Sequence, residues 1–175
     1  AAGGGTVFIP EGRYRLEGML TIESNVVLRG RWSLIGPDRP AEGTILMIHN
    51  QEHEQSVLLT GSGCGVRDLT FWHPEQQVTE SAKSASKSPL VIRGQAGTVT
   101  IENITLINPY RGIDLSQASA CCLRGIYGSP LHCGLSADRS FAVSRYDSIR
   151  FSPDYWSWSK LPSSPPKGCL LYTSD

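Results

Sequence analysis

The chain has no surplus of charge: 16 Lys and Arg offset 16 Asp and Glu, leaving no electrostatic footprint for nucleic acid. It has no run of 18 apolar residues either, which excludes a membrane-spanning helix, and no membrane partner is expected. Cys-x-x-Cys pairs are missing, and no histidine stands at zinc spacing from a cysteine, so no metal centre is expected. A signal peptide is also absent, but the first residue is Ala1 rather than Met, so that absence carries no weight. What the chain does have is turn formers. Its 18 Gly and 11 Pro in 175 residues suit many short strands joined by tight turns around one core.

Four segments repeat one register: Val66-Arg67-Asp68-Leu69-Thr70-Phe71, Ile101-Glu102-Asn103-Ile104-Thr105-Leu106, Leu123-Arg124-Gly125-Ile126-Tyr127-Gly128 and Tyr146-Asp147-Ser148-Ile149-Arg150-Phe151. From Val66 to Ile101, Leu123 and Tyr146 the steps are 35, 22 and 23 residues. A period in that range means stacked supersecondary units. Two apolar columns, beginning at Val66 and Leu69, point each unit into a shared core. Between them stand Asp68, Asn103, Gly125 and Ser148, types that tolerate a left-handed backbone, so this column reads as a bend between two strands. A helix does not fit, because no 3.6-residue stripe continues through the turn formers.

A second strand precedes each bend unit, centred on Leu59, Ile92, Ile113 and Leu135 at steps of 33, 21 and 22. Two columns keeping one period predict an all-β solenoid with coils of about 22 residues and parallel strands roughly 4.8 Å apart. The excess in the first step loops out over residues 73–88, a polar stretch that no strand pattern claims. Arg67, Glu102, Arg124 and Asp147 alternate in sign along one column, as cross-strand neighbours on an outer face should. They are read as scaffold, each pair contributing ~0–1 kcal/mol. Cys121 and Cys122 must point to opposite faces of a strand. With Cys64 and Cys133 they read as free thiols packing as small hydrophobes, a disulfide from Cys64 or Cys133 staying open for an exported protein.

Gly3-Gly4-Gly5-Thr6-Val7-Phe8-Ile9-Pro10-Glu11-Gly12-Arg13-Tyr14 followed by Asn25-Val26-Val27-Leu28-Arg29-Gly30 resembles the opening of right-handed parallel β-helix proteins of the pectate-lyase superfamily. That superfamily includes the group related to glycoside hydrolase family 28 and to phage tailspikes. Phe71-Trp72-His73-Pro74-Glu75-Gln76, Gly128-Ser129-Pro130-Leu131, Arg145 and Phe151-Ser152-Pro153-Asp154-Tyr155-Trp156 resemble later signatures of a bacterial branch. The resemblance extends to about Trp158 and implies a single-stranded right-handed parallel β-helix domain over residues 1–168. It implies that the N-terminal capping helix is missing, with Ala1 and Ala2 its last trace, and that the C-terminal end is truncated. Residues 169–175 are similar to the translation of a transposase sequencing adapter, hence a non-native tail, the alternative being an ordinary one.

Members of the superfamily are exported and act on carbohydrate, which implies a polysaccharide or oligosaccharide partner and an extracellular or periplasmic location. In such proteins the sugar chain lies across the outer face of a sheet, flanked by long loops. The candidates for catalysis are then Glu75 on the long loop and the strand-borne Asp114 and Asp138. Candidates for substrate binding are His73, Gln76, Tyr110, Arg111, His132, Arg145 and Trp156. Paired carboxylates roughly 5 to 9.5 Å apart would serve a glycoside hydrolase. A polysaccharide lyase would instead use a basic or phenolic side chain beside a neutralised uronate. No cofactor is expected, calcium entering only under lyase chemistry. The Asn-Thr-Asp, Asp-Asp, Gly-His-Gly and Arg-x-Lys signatures of family 28 polygalacturonases do not occur, so no family catalytic residue is carried over. The alternative is a non-catalytic glycan-binding or structural β-helix, such as a tailspike-like adhesin, for which a homotrimer would be expected.

Overall fold

A computed structural model describes residues 3–49, 53–76, 90–95, 97–137 and 144–161. Asp138, most of the long loop and residues 169–175 lie outside the described residues. The described residues are mostly β, 57% of them strand and 4% helix. In order its elements are β1 (Gly5–Phe8), β2 (Gly12–Leu16), β3 (Leu20–Ile22), β4 (Val26–Arg29), β5 (Thr44–Ile48), β6 (Gln55–Leu59), β7 (Cys64–Trp72), β8 (Leu90–Gly94), β9 (Thr98–Ile107), β10 (Arg111–Asp114), β11 (Ala120–Gly128), β12 (Cys133–Ser136), β13 (Arg145–Phe151) and α1 (Asp154–Ser159).

These strands make two parallel sheets. The first runs β1-β4-β7-β9-β11-β13, with β5 pairing β7 and β2 pairing β5; the second runs β12-β10-β8-β6-β3. From β6 onward the chain alternates between them, so neighbours in either sheet are one circuit apart in sequence. No helix among the described residues is long and apolar enough to cross a membrane.

The bend column has a backbone cause. Asp68, Asn103, Gly125 and Ser148 have φ of 59°, 53°, 67° and 56°, all left-handed. Each strand turns there without ending, and the ladder skips the bend: Arg67 pairs Glu102 and Leu69 pairs Ile104, with Asp68 and Asn103 between. Side chains tie the column together as well. Asn103 Nδ2 donates to Asp68 Oδ1 at 2.8 Å, and Arg29 Nε to Asp68 Oδ2 at 2.9 Å. A glycine suits the third layer, because a Cβ on Gly125 would stand 2.9 Å from Asn103 Oδ1. The charged row follows the predicted register, Arg67 to Glu102 to Arg124 to Asp147. Arg67 pairs with Glu102, and Arg124 with Asp147 at 3.8 Å.

The main core fills the space between the sheets. Val66, Ile101 and Leu123 form one fully buried column, Leu69, Ile104 and Ile126 the next, facing Val57, Ile92 and Ile113 from the second sheet. Here the structure corrects the sequence alignment by two residues. Ile92 pairs Val57, while Leu59 pairs Gly94. The step from Val57 to Ile92 is thus 35, the same as from Val66 to Ile101. A two-residue slip preserves the inward face, which is why both residues are buried and why the apolar pattern could not separate them.

A second cluster lies on the outer face of the C-terminal halves of the first sheet's strands. Ile45, Trp72 and Ile107 meet Ile35 and Ala41 from the segment between β4 and β5, and Tyr155, Trp156 and Leu161 at α1. Both faces are therefore covered, and Leu69–Trp72 and Ile104–Ile107 are buried without alternation. Trp156, read from sequence as a sugar contact, is only 7% exposed within this cluster. Its position accounts for it as packing. Cys64, Cys121, Cys122 and Cys133 are free thiols; Cys121 is buried and Cys122 half-buried, as opposite faces require.

Leu69→Ala is expected to lower unfolding free energy by about 2–5 kcal/mol through the cavity it leaves in a fully buried column. Arg124→Ala, whose ion pair with Asp147 is exposed, should cost under about 1 kcal/mol. Urea unfolding of both variants measures the contrast, and equal costs would contradict this account of the core.

Candidate functional site

One edge of the stack gathers most of the chemistry. It follows the C-terminal ends of the first sheet, where Met47 pairs Trp72 and Trp72 pairs Ile107. His49 and Pro74 stand two residues past those partners, and Glu75 and Tyr110 three past. The ladder continues into this edge, with His49 N donating to Leu16 O at 2.9 Å, His73 N to Ile107 O at 3.1 Å and His132 N to Tyr110 O at 3.0 Å. Successive layers thus present His49, Glu75, Tyr110 and His132, spaced by the strand separation of about 4.8 Å.

Specific contacts join them in pairs. Glu75 Oε1 lies 2.8 Å from His49 Nδ1. The rings of Tyr110 and His132 stack with centroids 5.0 Å apart and planes 16° from parallel. Beneath this edge the chain buries polar groups: His73, Asn108 and Ser129 are 3%, 2% and 2% exposed. Ser129 Oγ donates to Asn108 Oδ1 at 3.3 Å. Among the described residues, His73 has no hydrogen-bond partner on either ring nitrogen. Burial first, and then the nearby His49, push its pKa down to about 3. The His73 imidazole is therefore neutral at ordinary pH. Gln76 is buried beside it, its backbone N donating to His73 O at 3.3 Å.

The outer face of the second sheet adjoins this edge. Arg93, Asp114 and Ser136 are cross-strand neighbours in β8, β10 and β12. Asp114 Oδ1 accepts from Ser116 Oγ at 2.6 Å and from Ser116 N at 3.0 Å, while Oδ2 lies 3.6 Å from Arg111. Burial pushes the Asp114 carboxyl up, but the two Ser116 bonds and the charges of Arg93 and Arg111 outweigh it and hold the group below the usual carboxylate range. Asp114 is thus an ionised carboxylate, suited to pair with a cation or accept hydrogen bonds, a weak base, and unsuited to donate a proton near neutrality.

A separate groove of about 550 Å³ opens on the first sheet, lined by Glu102, Cys122, Arg124, Arg145, Tyr146 and Asp147. Arg145 is cross-strand from Cys122 there, away from the edge that carries Glu75 and Tyr110. The candidates therefore divide. Tyr110, Arg111, Asp114 and His132 come together, as do His73, Glu75 and Gln76 at the start of the long loop; Arg145 lies apart, Trp156 is in the second cluster, and Asp138 is outside the described residues. Sequence reasoning missed His49 and Arg93. The unclaimed aliphatic run Thr44 to Ile48 before His49 was the available signal for the first. Arg93 sits at the outward position next to Ile92, where the period alone places it beside Asp114.

Comparison of the chain with protein-family models, with curated proteins and with solved structures gives no match.

The buried neutral His73 makes stability pH-dependent. Its folded pKa of about 3 lies below the ordinary 6.5, so the unfolded chain binds the extra proton between those values. Stability is full above about pH 6.5 and falls with acidification by roughly 1.4 kcal/mol per pH unit until pH 3 is approached. Urea unfolding at pH 7 and pH 5 should show this slope, and His73→Asn should flatten it. An unchanged slope in the variant would assign the acid sensitivity elsewhere.

Proposed function

We propose that the chain is part of a right-handed parallel β-helix of the pectate-lyase superfamily kind and that it is carbohydrate-active, engaging an anionic polysaccharide along the edge formed by Glu75, Tyr110 and His132. The alternation between two parallel sheets at a 22- to 23-residue period supports the architecture. The stacked Tyr110–His132 pair beside Arg111 carries the functional reading. Such rings offer an apolar face to a sugar, while a guanidinium pairs with a uronate carboxylate.

Of the two chemistries, elimination on a uronate fits these residues better than hydrolysis. Arg93, 3.3 Å from Glu54, and Arg111, 3.6 Å from Asp114, are the cations a uronate carboxylate would compete for, and a hydrolase would need an acid that the ionised Asp114 does not supply. Calcium enters only under the lyase chemistry of this superfamily. Among the described residues no three His, Cys, Asp or Glu side chains stand together to hold a metal ion. No step is therefore routed through it. An extracellular or periplasmic location follows from a polysaccharide partner. A second reading, glycan binding without turnover, draws on Asp114 being fully engaged by Ser116 and Arg111 of its own chain. A tailspike-like homotrimer belongs to that reading.

The test is a panel of acidic and neutral polysaccharides, scored for binding, reducing ends and unsaturated products. Binding of a uronate polymer is expected, weakened about three- to tenfold by Tyr110→Ala. Unsaturated ends would establish the lyase, and binding without turnover the second reading. Failure to bind any member of the panel would overturn both.

A further inference from the structure

We propose that His49 and Glu75 form a proton-accepting dyad, with Nε2 of His49 as the reactive nitrogen and Glu75 as its positioning residue. The geometry begins at the 2.8 Å contact between Glu75 Oε1 and His49 Nδ1. An ionised carboxylate only accepts hydrogen bonds, so the proton on the ring must sit on Nδ1. A neutral imidazole then carries its lone pair on Nε2. This is the relation by which a carboxylate fixes tautomer and ring orientation for a general base.

The surroundings hold that arrangement in place. His49 follows the buried Ile48 at the end of β5, and its backbone N is bonded to Leu16 O. Its side chain is 16% exposed, whereas Glu75 is 56% exposed in the turn after Pro74. The other imidazole beside it, His73, is buried and neutral. His73 therefore adds no positive charge against a proton arriving on His49. Glu75 is hydrogen-bonded to the His49 ring, and His73 lies close enough that a charge on either imidazole would oppose a charge on the other. The dyad stands on the same edge as Tyr110 and His132, at the offsets given above.

The dyad itself rests on geometry alone; its substrate rests on the polysaccharide reading. On a uronate sugar, Nε2 would take the proton from the carbon next to the carboxylate. The released electron pair forms the carbon–carbon double bond as the glycosidic carbon–oxygen bond breaks, and the imidazolium returns its proton to the departing oxygen. Atoms and charge balance without a further reactant.

The experiment is long-range nitrogen-15 NMR of the imidazoles of the full chain at pH 8, with carbethoxylation by diethyl pyrocarbonate followed by mass spectrometry. A protonated Nδ1 and an unprotonated Nε2 are expected for His49. Glu75→Leu should move that proton to Nε2, and modification of His49 should precede that of the buried His73. An Nε2–H tautomer in the unmodified protein, or a spectrum that Glu75→Leu leaves unchanged, would overturn the dyad. Where a polysaccharide is turned over, His49→Gln should lower kcat by about 100-fold or more with little change in KM. Unchanged turnover in that variant would overturn the reactive role. The expected tautomer with no sugar bound or cleaved would leave the dyad standing and overturn the carbohydrate reading instead.

Discussion

A left-handed residue repeated in register is the constraint on which the rest depends. Asp68, Asn103, Gly125 and Ser148 each turn a strand of the first sheet without breaking it, and lying side by side they fix the register of each strand on the next. Because side chains alternate on a strand, that one registration decides everything beside it: which aliphatic residues meet in the core and which charges meet outside. Arg29, Asp68 and Asn103 reinforce it with side-chain bonds across three strands. The column is structural in origin, yet it determines the layer in which each functional side chain appears.

Chemistry accumulates where this order ends. Past Trp72 and Ile107 the strands turn a corner, and the residues that follow share a layer spacing without sharing a composition. There the chain buries His73 with no partner on its ring among the described residues, pairs Asn108 with Ser129, and leaves Glu75, Tyr110 and His132 half-buried or exposed. An unsatisfied buried imidazole costs about 1–3 kcal/mol. The fully buried aliphatic columns offset such costs, which Ser56 and Thr70 within the strands share with His73.

The repeat was legible in the sequence because it depends on residue type at fixed spacing. Bend residues, the inward columns and the charged row at Arg67, Glu102, Arg124 and Asp147 could all be aligned by eye. What escaped lies outside the period. β2 and β5 pair with each other before the regular alternation begins, and α1 with the segment before β5 covers a face that a two-residue pattern would leave in water. Tyr155 and Trp156 were legible as aromatic but not as buried, since their packing partners, Ile35, Ala41 and Ile45, are over a hundred residues away. His49 was hidden for the same reason, being brought to Glu75 by the β5–β7 pairing. The Asp114 carboxyl was legible as outward-facing; its capture by Ser116 two residues on was a local turn contact that no strand pattern encodes.

Between Gln76 and Leu90 the chain passes from β7 to β8, and the ladders on either side are continuous, β7 pairing β9 and β6 pairing β8. Loop closure grows only logarithmically with length, about 0.6 kcal/mol per doubling. The number of residues in this connection is therefore only weakly coupled to the fold's stability. A lineage built on this scaffold can lengthen or shorten that connection at little thermodynamic cost while the paired strands on either side stay the same.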